Sequence, residues 1–368
     1  MPDLRVIISG GGTGGHIFPA IAIANAVKKL NPSTEFLFVG AKGKMEMEKV
    51  PAAGYKIVGL WISGIQRSLQ PSNLMFPFKV VSSLAKALKI VLKFKPHVAI
   101  GVGGYASGPL LYAANLANIP TLIQEQNSYP GITNRILAKK ANKICVAYEN
   151  LSTYFPKDKL MLTGNPVREN VIDIKGKKEK GLKYFGISSG KPTILVVGGS
   201  QGARSINIAI NEGLQLLSDD GVQVIWQCGK HYYKKAIDSV GNSQNPNIKV
   251  YEFITRMDLA YAVADIVVSR AGASTVSELC IIGKPSILVP LPTAAEDHQT
   301  KNCIELVKKE AAILVKDHES KEKLVDQMLM LTNDENKKRS LSQNITKLAL
   351  RDSADKIAKE VLLLAKVD

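Results

Sequence analysis

The stretch LRVIISGGGTGGH, residues 4–16, decides the fold class. It joins a short β-branched run, Leu4–Ser9, to a cluster of glycines, and apolar residues at helical spacing follow from Ile17. A buried strand, a glycine-rich turn and a helix in this order are typical of the first unit of a parallel α/β sheet.

The same alternation of short β-branched runs and longer helical stretches continues along the chain. A fresh series begins at Thr193–Val197, and GGSQG at residues 198–202 then repeats the glycine turn GGTGG of residues 11–15. We therefore predict an α/β protein with two doubly wound domains. The predicted strands are Leu4–Ser9, Glu35–Val39, His97–Val102, Thr121–Gln124, Lys143–Val146, Thr193–Val197, Val222–Gln227, Ile248–Tyr251, Asp265–Ser269 and Ser286–Val289.

The length of 368 residues suits two domains, since a domain of roughly 100–200 residues can bury its own core. We expect the boundary at Asn165-Pro166, which gives a first domain of residues 1–165 and a second of residues 166–349. Asp352-Ser353 would cap a terminal amphipathic helix that no strand follows. Residues 350–368 are expected to cross back onto the first domain.

Composition excludes several classes of protein. The first residues do not have the pattern of a signal peptide, and no apolar stretch approaches the ~20 residues of a transmembrane helix. The four cysteines are scattered without a CxxC pair. This spacing argues against a disulfide framework or a structural zinc site and favours a reducing compartment.

Positive charge is concentrated in the first half of the chain. The net charge is +16, and residues 1–165 contain 19 basic and only 7 acidic residues. No acidic residue lies between Glu48 and Glu125. A field of one sign on one domain indicates an anionic partner, which could be a nucleic acid, a phosphorylated substrate or a membrane surface.

The first glycine turn, Gly10–Gly15, has the GxGxxG spacing of dinucleotide-binding folds. A nicotinamide enzyme should also carry Asp or Glu at the end of its second strand. This chain has Gly40-Ala41 there, so hydride transfer is disfavoured. His16 opens the next helix, whose N-terminus opposes the imidazolium cation and favours a neutral, base-competent ring. His16 is a candidate general base, although a surface or packing role is the simpler interpretation.

Two loops of the second half, residues 198–204 and 269–278, repeat this anion-binding pattern. In the second of them Thr275 and Glu278 have the spacing of a capping box, with threonine at the N-cap and glutamate at N3. Glu278 could instead accept hydrogen bonds from both hydroxyls of a ribose. The spacing alone leaves both interpretations open.

Carboxamides, which typically bind sugar hydroxyls, cluster at the predicted strand ends. They occur in Gln124–Asn127, in Gly164–Arg168, and in Asp297–Gln299 with Asn302. The chain has no Asp-x-Asp pair, and Glu46-Met47-Glu48 is expected on an exposed helix. A magnesium-held nucleotide sugar is therefore not expected, and backbone N–H groups and arginines would balance a diphosphate.

Taken together, these motifs resemble those of the MurG family of bacterial N-acetylglucosaminyltransferases. The matching segments are GGTGGH (Gly11–His16), GGYASGP (Gly103–Pro109), EQN (Glu125–Asn127), GNPVR (Gly164–Arg168), GGSQGAR (Gly198–Arg204), AGASTVSE (Ala271–Glu278) and DHQ (Asp297–Gln299). The resemblance implies a GT-B fold, in which two Rossmann-like domains face a cleft. It also implies inverting transfer of N-acetylglucosamine from UDP-N-acetylglucosamine to the muramoyl 4-hydroxyl of undecaprenyl-pyrophosphoryl-muramoyl-pentapeptide, with no metal or other cofactor and no nucleic acid partner.

The resemblance further implies roles for individual residues. In the donor site Ile254 would meet the uracil through its backbone, Glu278 the ribose, and Ser200 with Arg168 the nucleotide and its diphosphate. The remaining donor-site residues are Thr13, Gly14, Gly15, Asn127, Ala273, Ser274, Thr275, Val276, Ser277 and Gln299. The acceptor pyrophosphate would face Gly12, Thr13, Gly14, Gly15, His16, Gly103, Gly104 and Tyr105. His16 would be the base, with Glu125 and Tyr105 as the other candidates.

The segment from Leu74 to Phe78 (Leu74, Met75, Phe76, Pro77 and Phe78), with Lys79 and Lys86 after it, is similar to an interfacial basic amphipathic stretch. We expect residues 74–78 to form a membrane-contacting loop. Residues 80–92 are predicted to form an ordinary core-facing helix with solvated lysines. A lipid-linked acceptor and this basic surface predict peripheral binding to the anionic, cytoplasmic face of the bacterial inner membrane.

Three other functions remain open from the sequence. They are another GT-B glycolipid glycosyltransferase, a UDP-N-acetylglucosamine epimerase, and a non-enzymatic nucleotide-sugar-binding subunit. The glycine loop with His16 argues against the binding subunit, which needs no acceptor-side loop. The basic first domain argues against the epimerase, which needs no lipid acceptor.

Overall fold

The computed structural model describes residues 4–64, 75–199, 201–243 and 245–366. The chain divides into two compact units, which are unit 1 (residues 1–167 with 350–368) and unit 2 (residues 168–349). The sequence places the division at 165/166 and 349/350, and the structure divides the chain at 167/168 and 349/350.

Unit 1 is built on a parallel sheet. Its strands within the described residues are β1 (Arg5–Gly10), β2 (Glu35–Ala41), β3 (Ile57–Leu60), β4 (Val98–Gly103), β5 (Thr121–Glu125), β6 (Lys143–Val146) and β7 (Leu160–Leu162). They lie in the order β3-β2-β1-β4-β5-β6-β7. The helices between them are α1 (Gly14–Leu30), α2 (Glu46–Ala52), α3 (Phe76–Phe94), α4 (Ser107–Leu116) and α5 (Ile132–Ala138).

The strands of unit 1 are apolar on both faces because helices cover both faces of the sheet. In β1, Ile7 belongs to one buried cluster, while Val6 and Ile8 belong to the cluster on the opposite face. This burial explains why residues 4–9 form a continuous apolar run and not an alternating one.

Unit 2 repeats the architecture with a second parallel sheet. Its helices begin with α6 (Glu169–Ile172) and α7 (Lys178–Phe185). Its described strands are β8 (Thr193–Val197), β9 (Gln223–Gln227), β10 (Ile248–Tyr251), β11 (Ile266–Ser269), β12 (Ser286–Leu288) and β13 (Ile313–Leu314), in the order β10-β9-β8-β11-β12-β13. The other helices are α8 (Arg204–Glu212), α9 (Leu214–Asp219), α10 (Lys230–Ser243), α11 (Met257–Val263), α12 (Ala273–Ile282), α13 (His298–Val307), α14 (Ser320–Asn333) and α15 (Glu335–Lys347).

The prediction of two doubly wound α/β domains is confirmed. The strands that the sequence pattern missed, β3, β7 and β13, lie at sheet edges and have only two to four residues. Residues of these three strands are mostly only partly buried, so they lack the continuous apolar run that marks the central strands. No helix among the described residues is long and apolar enough to cross a bilayer.

The last helix, α16 (Ser353–Leu364), belongs to unit 1, as expected. Ile357, Ala358 and Val361 join the buried cluster that contains the apolar face of α1. The side chain of Glu360 adds an ion pair to Lys143 at 3.4 Å. The chain therefore returns to unit 1 after completing unit 2.

A charge network inside unit 2 joins α11 to the segment that precedes α7. The Asp258 carboxylate accepts hydrogen bonds from Arg256 Nε at 2.9 Å and Nη2 at 2.7 Å, and from Lys177 Nζ at 3.1 Å. The Arg256 guanidinium, helped by Lys177, holds the pKa of Asp258 well below its usual range.

Asp258→Asn should lower the free energy of unfolding at pH 7 by about 1.5–3 kcal/mol, the range for hydrogen bonds to a charged group. A depressed carboxyl pKa stabilises the fold above the unfolded-state value of about 3.9, and that stability is lost as pH falls towards the folded-state pKa. The difference in free energy of unfolding between wild type and variant, measured by urea titration, should therefore decrease below about pH 4. Asp173→Asn is the matched control, because Asp173 pairs with the same Lys177 but is 65% exposed. A gap that stays constant from pH 7 to pH 2 would contradict this account.

Candidate active site

The predicted site loops lie at the carboxyl ends of the strands, where ligands bind in doubly wound sheets. In unit 1 the strand order reverses between β1 and β4, and the loops after these two strands carry Gly11–Thr13 and Gly104–Ala106. In unit 2 the reversal lies between β8 and β11, whose loops carry residues 198–203 and 270–272. Each unit therefore presents a glycine-rich loop at its own switch point.

The first glycine loop meets the loop after β4 through close backbone contacts. The amide N–H of Gly11 donates to the carbonyl of Gly103 at 3.3 Å. Gly104 has a φ of 88°, and a side chain there would overlap the backbone of Gly11. Glycine is required at position 104 by both its φ and this contact. Two motifs that lie 93 positions apart thus form one surface.

His16 lies in the first turn of α1, as expected, and its ring is fixed from two sides. Its Nδ1 is 3.0 Å from the carbonyl oxygen of Gly11. A carbonyl can only accept, so Nδ1 carries the proton and the neutral ring has its lone pair on Nε2. The ring also packs on Gly103, where an added Cβ would lie 2.7 Å from Cδ2.

The other two candidate bases differ in exposure. Tyr105 is 48% exposed, and its ring lies against Gly64. Glu125 is buried, and burial raises its pKa. Its Oε1 accepts from the backbone and side chain of Asn127, and its Oε2 accepts from Asn134 at 2.8 Å and from the Gly131 amide. Glu125 thus organises the loop that presents Asn127, and Asn134 is a member of this site that the sequence analysis missed.

The sequence suggested that the carboxamides around this loop bind sugar hydroxyls. In the structure most of them bond to one another and to the backbone. Gln124, Gln126 and Asn165 are all buried. Gln124 donates to Asn165 Oδ1, Asn165 donates to the Gln126 carbonyl, and Gln126 donates to the Val102 carbonyl. These bonds join the EQN and GNP motifs to β4, and Asn127 is the amide of the group that is partly exposed.

In unit 2 the capping-box interpretation of Thr275 and Glu278 is wrong. Helix α12 begins at Ala273 with Gly272 at its N-cap, so Thr275 already lies inside the helix. Glu278 is buried, and its Oε2 accepts from the Tyr261 hydroxyl at 3.0 Å while its Oε1 lies 3.8 Å from Arg168 Nη2. Burial raises the pKa of Glu278, and the Arg168 charge opposes this shift.

The start of α12 presents the predicted residues Ala273 to Ser277 over its first turns. Ala273 and Val276 are buried, while Ser274, Thr275 and Ser277 are partly exposed. The Ser274 Oγ atom is shielded from solvent and has no hydrogen-bond partner among the described residues. A hydroxyl at a helix N-terminus, where the amides carry partial positive charge, can donate a hydrogen bond to a bound anion.

The remaining donor-site residues are held by local contacts. The backbone N–H of Ile254 donates to Gln227 Oε1 at 3.1 Å, and Ile254 is buried. Gln299 accepts from the Leu291 amide at 2.9 Å, which leaves its Nε2 group for other partners. Ser200 lies outside the described residues, as does Leu74 of the predicted membrane segment.

One polar cluster of unit 2 was missed by the sequence analysis. The guanidinium of Arg270, in the loop after β11, donates to the carbonyls of Val289 and Pro290 and to Asp317, and its Nη2 donates to Ser205. Arg270 thereby joins the loops after β11 and β12 and the segment after β13 to the first turn of α8, where Ser205 lies. The residues lie up to 112 positions apart, so local spacing holds no signal for this cluster.

The predicted membrane segment is helical from Phe76 onwards, so Phe76 and Phe78 lie in the first turn of α3 and not in a loop. Phe78, Val81 and Leu92 are 66%, 67% and 58% exposed, and they face away from the buried Ser83, Ala87 and Val91. Met75 is 44% exposed. Helix α3 thus combines a core face with an exposed apolar stripe, which the prediction of an ordinary core-facing helix did not include.

The lysines of α3 fall into two groups. Lys79 Nζ donates to Ser63 and lies over the Trp61 ring, and Lys86 Nζ donates to the Gly59 carbonyl at 2.8 Å. Lys89 and Lys93 are exposed beside the apolar stripe. The prediction of solvated lysines therefore holds for Lys89 and Lys93 but is wrong for Lys79 and Lys86.

The fold and the site define the class of protein. Residues 6–146 match the N-terminal domain of glycosyltransferase family 28, and residues 193–360 match the C-terminal domain of that family. Two parallel-sheet Rossmann-like units with these domains are the GT-B fold of glycosyltransferases.

Comparison with individual proteins narrows the class. The chain is 54% identical, over 99% of its length and 98% of the relative, to a UDP-N-acetylglucosamine–N-acetylmuramyl-(pentapeptide) pyrophosphoryl-undecaprenol N-acetylglucosamine transferase of Cytophaga hutchinsonii. It is similar to the crystal structure of Acinetobacter baumannii MurG, with a TM-score of 0.79, 26% identity and coverage of 98% of this chain and 100% of the other. The chain belongs to the MurG family.

The fold is shared more widely than the family. A UDP-GlcNAc 2-epimerase from Neisseria meningitidis, in a structure with UDP-GlcNAc bound, matches with a TM-score of 0.66 and 17% identity over 98% of this chain and 99% of the other. At this identity the match shows the fold alone.

Proposed function

We propose that this chain transfers N-acetylglucosamine from UDP-N-acetylglucosamine to the muramoyl 4-hydroxyl of undecaprenyl-pyrophosphoryl-muramoyl-pentapeptide, with inversion to a β-1,4 link. The observation that carries the proposal is 54% identity to a transferase of this name over 99% of the chain. The product is the lipid-linked disaccharide of peptidoglycan biosynthesis.

The donor is assigned to the carboxyl edge of unit 2. The Glu278 carboxylate, next to Arg168, suits the two hydroxyls of a ribose, because an ionised carboxylate accepts several hydrogen bonds. The amides at the start of α12, the shielded Ser274 hydroxyl and Arg168 suit the diphosphate. In unit 2 Ile254 is proposed at the uracil, Ser200 at the diphosphate and Gln299 at the sugar.

We propose that the donor site needs no metal ion. The diphosphate charge is met by Arg168 and by the helix N-terminus, a combination that is sufficient for phosphate binding in many proteins. Among the described residues no group of three or more His, Cys, Asp or Glu side chains is placed to hold a metal ion.

The acceptor is assigned to the glycine loop of unit 1. Backbone amides of residues 13–15 at the start of α1 suit a pyrophosphate, while the Gly12 amide donates to Glu46. The His16 ring, with its proton on Nδ1, suits a base on the muramoyl hydroxyl through Nε2, whereas the Glu125 carboxylate accepts hydrogen bonds from Asn127, Gly131 and Asn134 of the segment that follows it. Gly103, Gly104 and Tyr105 border the same loop.

The membrane surface is assigned to α3. Its exposed stripe of Phe78, Val81 and Leu92, with Met75 before it and Lys89 and Lys93 beside it, has the composition of an interfacial helix. We propose that this surface binds the anionic cytoplasmic face of the inner membrane peripherally and brings unit 1 to its lipid-linked acceptor. No nucleic acid partner is proposed.

Purified protein with UDP-N-acetylglucosamine should release UDP only when a polyprenyl-pyrophosphoryl-muramoyl acceptor is present, and the rate should be unchanged by EDTA. Coupled detection of UDP and mass spectrometry of the glycolipid product measure this. UDP release without acceptor, formation of an epimerised sugar nucleotide, or loss of activity in EDTA would each contradict a part of the proposal.

Glu278→Gln should weaken UDP binding about 10- to 100-fold, because the ribose loses a hydrogen bond to a charged acceptor. The raised pKa of Glu278 adds a pH dependence. The carboxylate protonates at a higher pH than a free glutamate, so wild-type affinity should decline more steeply than that of the variant as pH falls. Isothermal titration calorimetry measures both. Glu335→Gln, at an 86% exposed side chain of the same unit, is the control, and equal affinities in all three proteins would rule out Glu278 as the ribose ligand.

Lys89→Glu with Lys93→Glu should weaken binding to anionic vesicles at least tenfold, since each lysine near such a surface contributes about 1 kcal/mol. Vesicle sedimentation with phosphatidylglycerol-containing liposomes measures this. Lys230→Glu with Lys234→Glu is the matched control, because it makes the same change at the same i, i+4 spacing on exposed positions of α10 in unit 2. Equal losses in both double variants would show a general charge effect and not a surface on α3.

A further inference from the structure

A buried carboxylate lies beneath the first glycine loop and has no role in the function described so far. Glu46 is the first residue of α2, yet it is only 1% exposed. The expectation that Glu46-Met47-Glu48 lies on an exposed helix is therefore wrong for Glu46, although Glu48 is exposed.

Both oxygens of Glu46 accept backbone hydrogen bonds. Oε1 accepts from the Ala41 amide at 2.9 Å, and Oε2 accepts from the Gly12 amide at 2.9 Å. A carboxylate can accept at both of its oxygens in this way. Glycines provide the room, since a Cβ at Gly11 would overlap the carboxylate and one at Gly40 would lie 2.5 Å from Glu46 Cγ.

A single peptide group connects Glu46 to His16. The N–H of the Gly11–Gly12 peptide donates to Glu46 Oε2. The C=O of the same peptide accepts from His16 Nδ1 at 3.0 Å. A chain of two hydrogen bonds therefore runs within unit 1 from the Glu46 carboxylate through the peptide N–H and C=O to the imidazole Nδ1–H.

We propose that Glu46 is a positioning residue for His16 and acts through this peptide group. The carboxylate polarises the peptide, so the Gly11 oxygen becomes a stronger acceptor for Nδ1–H, as hydrogen bonds in a chain strengthen one another. This keeps the proton on Nδ1 and the lone pair on Nε2. The arrangement has the logic of a carboxylate that orients a catalytic histidine, with a peptide group placed between the two.

This inference rests on the proposed function for its chemical step. The acceptor hydroxyl oxygen forms a bond to the anomeric carbon while the bond from that carbon to the UDP oxygen breaks. The hydroxyl proton passes to His16 Nε2, and the leaving UDP keeps the bonding electron pair. His16 becomes a cation in this step, and the nearby carboxylate of Glu46 stabilises that cation.

The surrounding loop keeps the peptide group in this orientation. The Gly11 amide is bonded to the Gly103 carbonyl, and the His16 ring packs on Gly103. Gly104 lies directly against the Gly11 carbonyl. Rotation of the Gly11–Gly12 peptide would break its hydrogen bonds to both Glu46 and His16. The Glu46 carboxylate therefore fixes the peptide orientation to which the His16 ring bonds.

The first test is spectroscopic and does not depend on activity. In the full chain labelled with ¹⁵N-histidine, the ring signals of His16 are assigned among the five histidines with His16→Gln. Wild type at pH 8 should show His16 protonated at Nδ1, and Glu46→Gln should transfer population to the Nε2–H form. Glu48→Gln, an exposed carboxylate on the same helix, should leave the signals unchanged. Wild type with its proton on Nε2 would overturn the proposal, and this result does not depend on the folding of any variant. Ring signals that are the same in wild type and Glu46→Gln would also overturn it.

The second test is a double-mutant cycle in the transfer assay. Glu46→Gln should lower kcat about 10- to 100-fold, the usual cost of removing a group that orients a functional ligand, with the KM for the sugar nucleotide changed less than about twofold. In the His16→Ala background the same substitution should have almost no further effect, because its partner is already lost. An equal loss in both backgrounds would show that Glu46 merely maintains the loop. If wild type transfers no sugar, the proposed function fails, while the histidine spectra still test the contact.

Discussion

Parallel strand pairing is the constraint on which both halves of this protein depend. All strands of each sheet end at one edge, and the order reverses between β1 and β4 and between β8 and β11. Loops that leave neighbouring strands in opposite directions at this point open a crevice between them. Residues far apart in sequence, such as Gly11 and Gly103, come into hydrogen-bond contact there for this reason.

The two switch points are supported by different polar groups. In unit 1 Glu46 lies under the glycine loop and accepts from the peptide that holds His16. In unit 2 Arg270, paired with Asp317, joins the loops after β11 and β12 and the segment after β13 to the first turn of α8. Each of these groups fixes its loop through hydrogen bonds to atoms that lie far away in the sequence.

Local pattern was sufficient for the parts of the structure that depend on near neighbours in sequence. The central strands were predicted because burial on both sheet faces leaves continuous apolar runs. The glycine turns and the return of the last helix were also predicted. The edge strands β3, β7 and β13 were missed, although β10, an edge strand of four residues like β3, was predicted.

Side-chain roles were harder to predict because they depend on distant partners. Thr275 and Glu278 have capping-box spacing, but the actual partner of Glu278 is Tyr261 on α11. Glu46 looked like a surface residue because the Gly12 amide that it accepts from lies 34 positions away. Lys79 and Lys86 likewise find partners near β3 that α3 alone does not reveal. Spacing therefore located the loops, and only the tertiary contacts distinguished structural polar groups from those available to a ligand.

The return of α16 to unit 1 has a consequence for biosynthesis. The apolar face of α1 is covered in part by Ile357, Ala358 and Val361, which leave the ribosome more than three hundred residues after α1 does. The apolar face of α1 in unit 1 therefore stays partly uncovered while the whole of unit 2 is synthesised. A nascent chain halted before residue 353 would expose that apolar face to chaperones, and completion of the two units is thereby coupled in time.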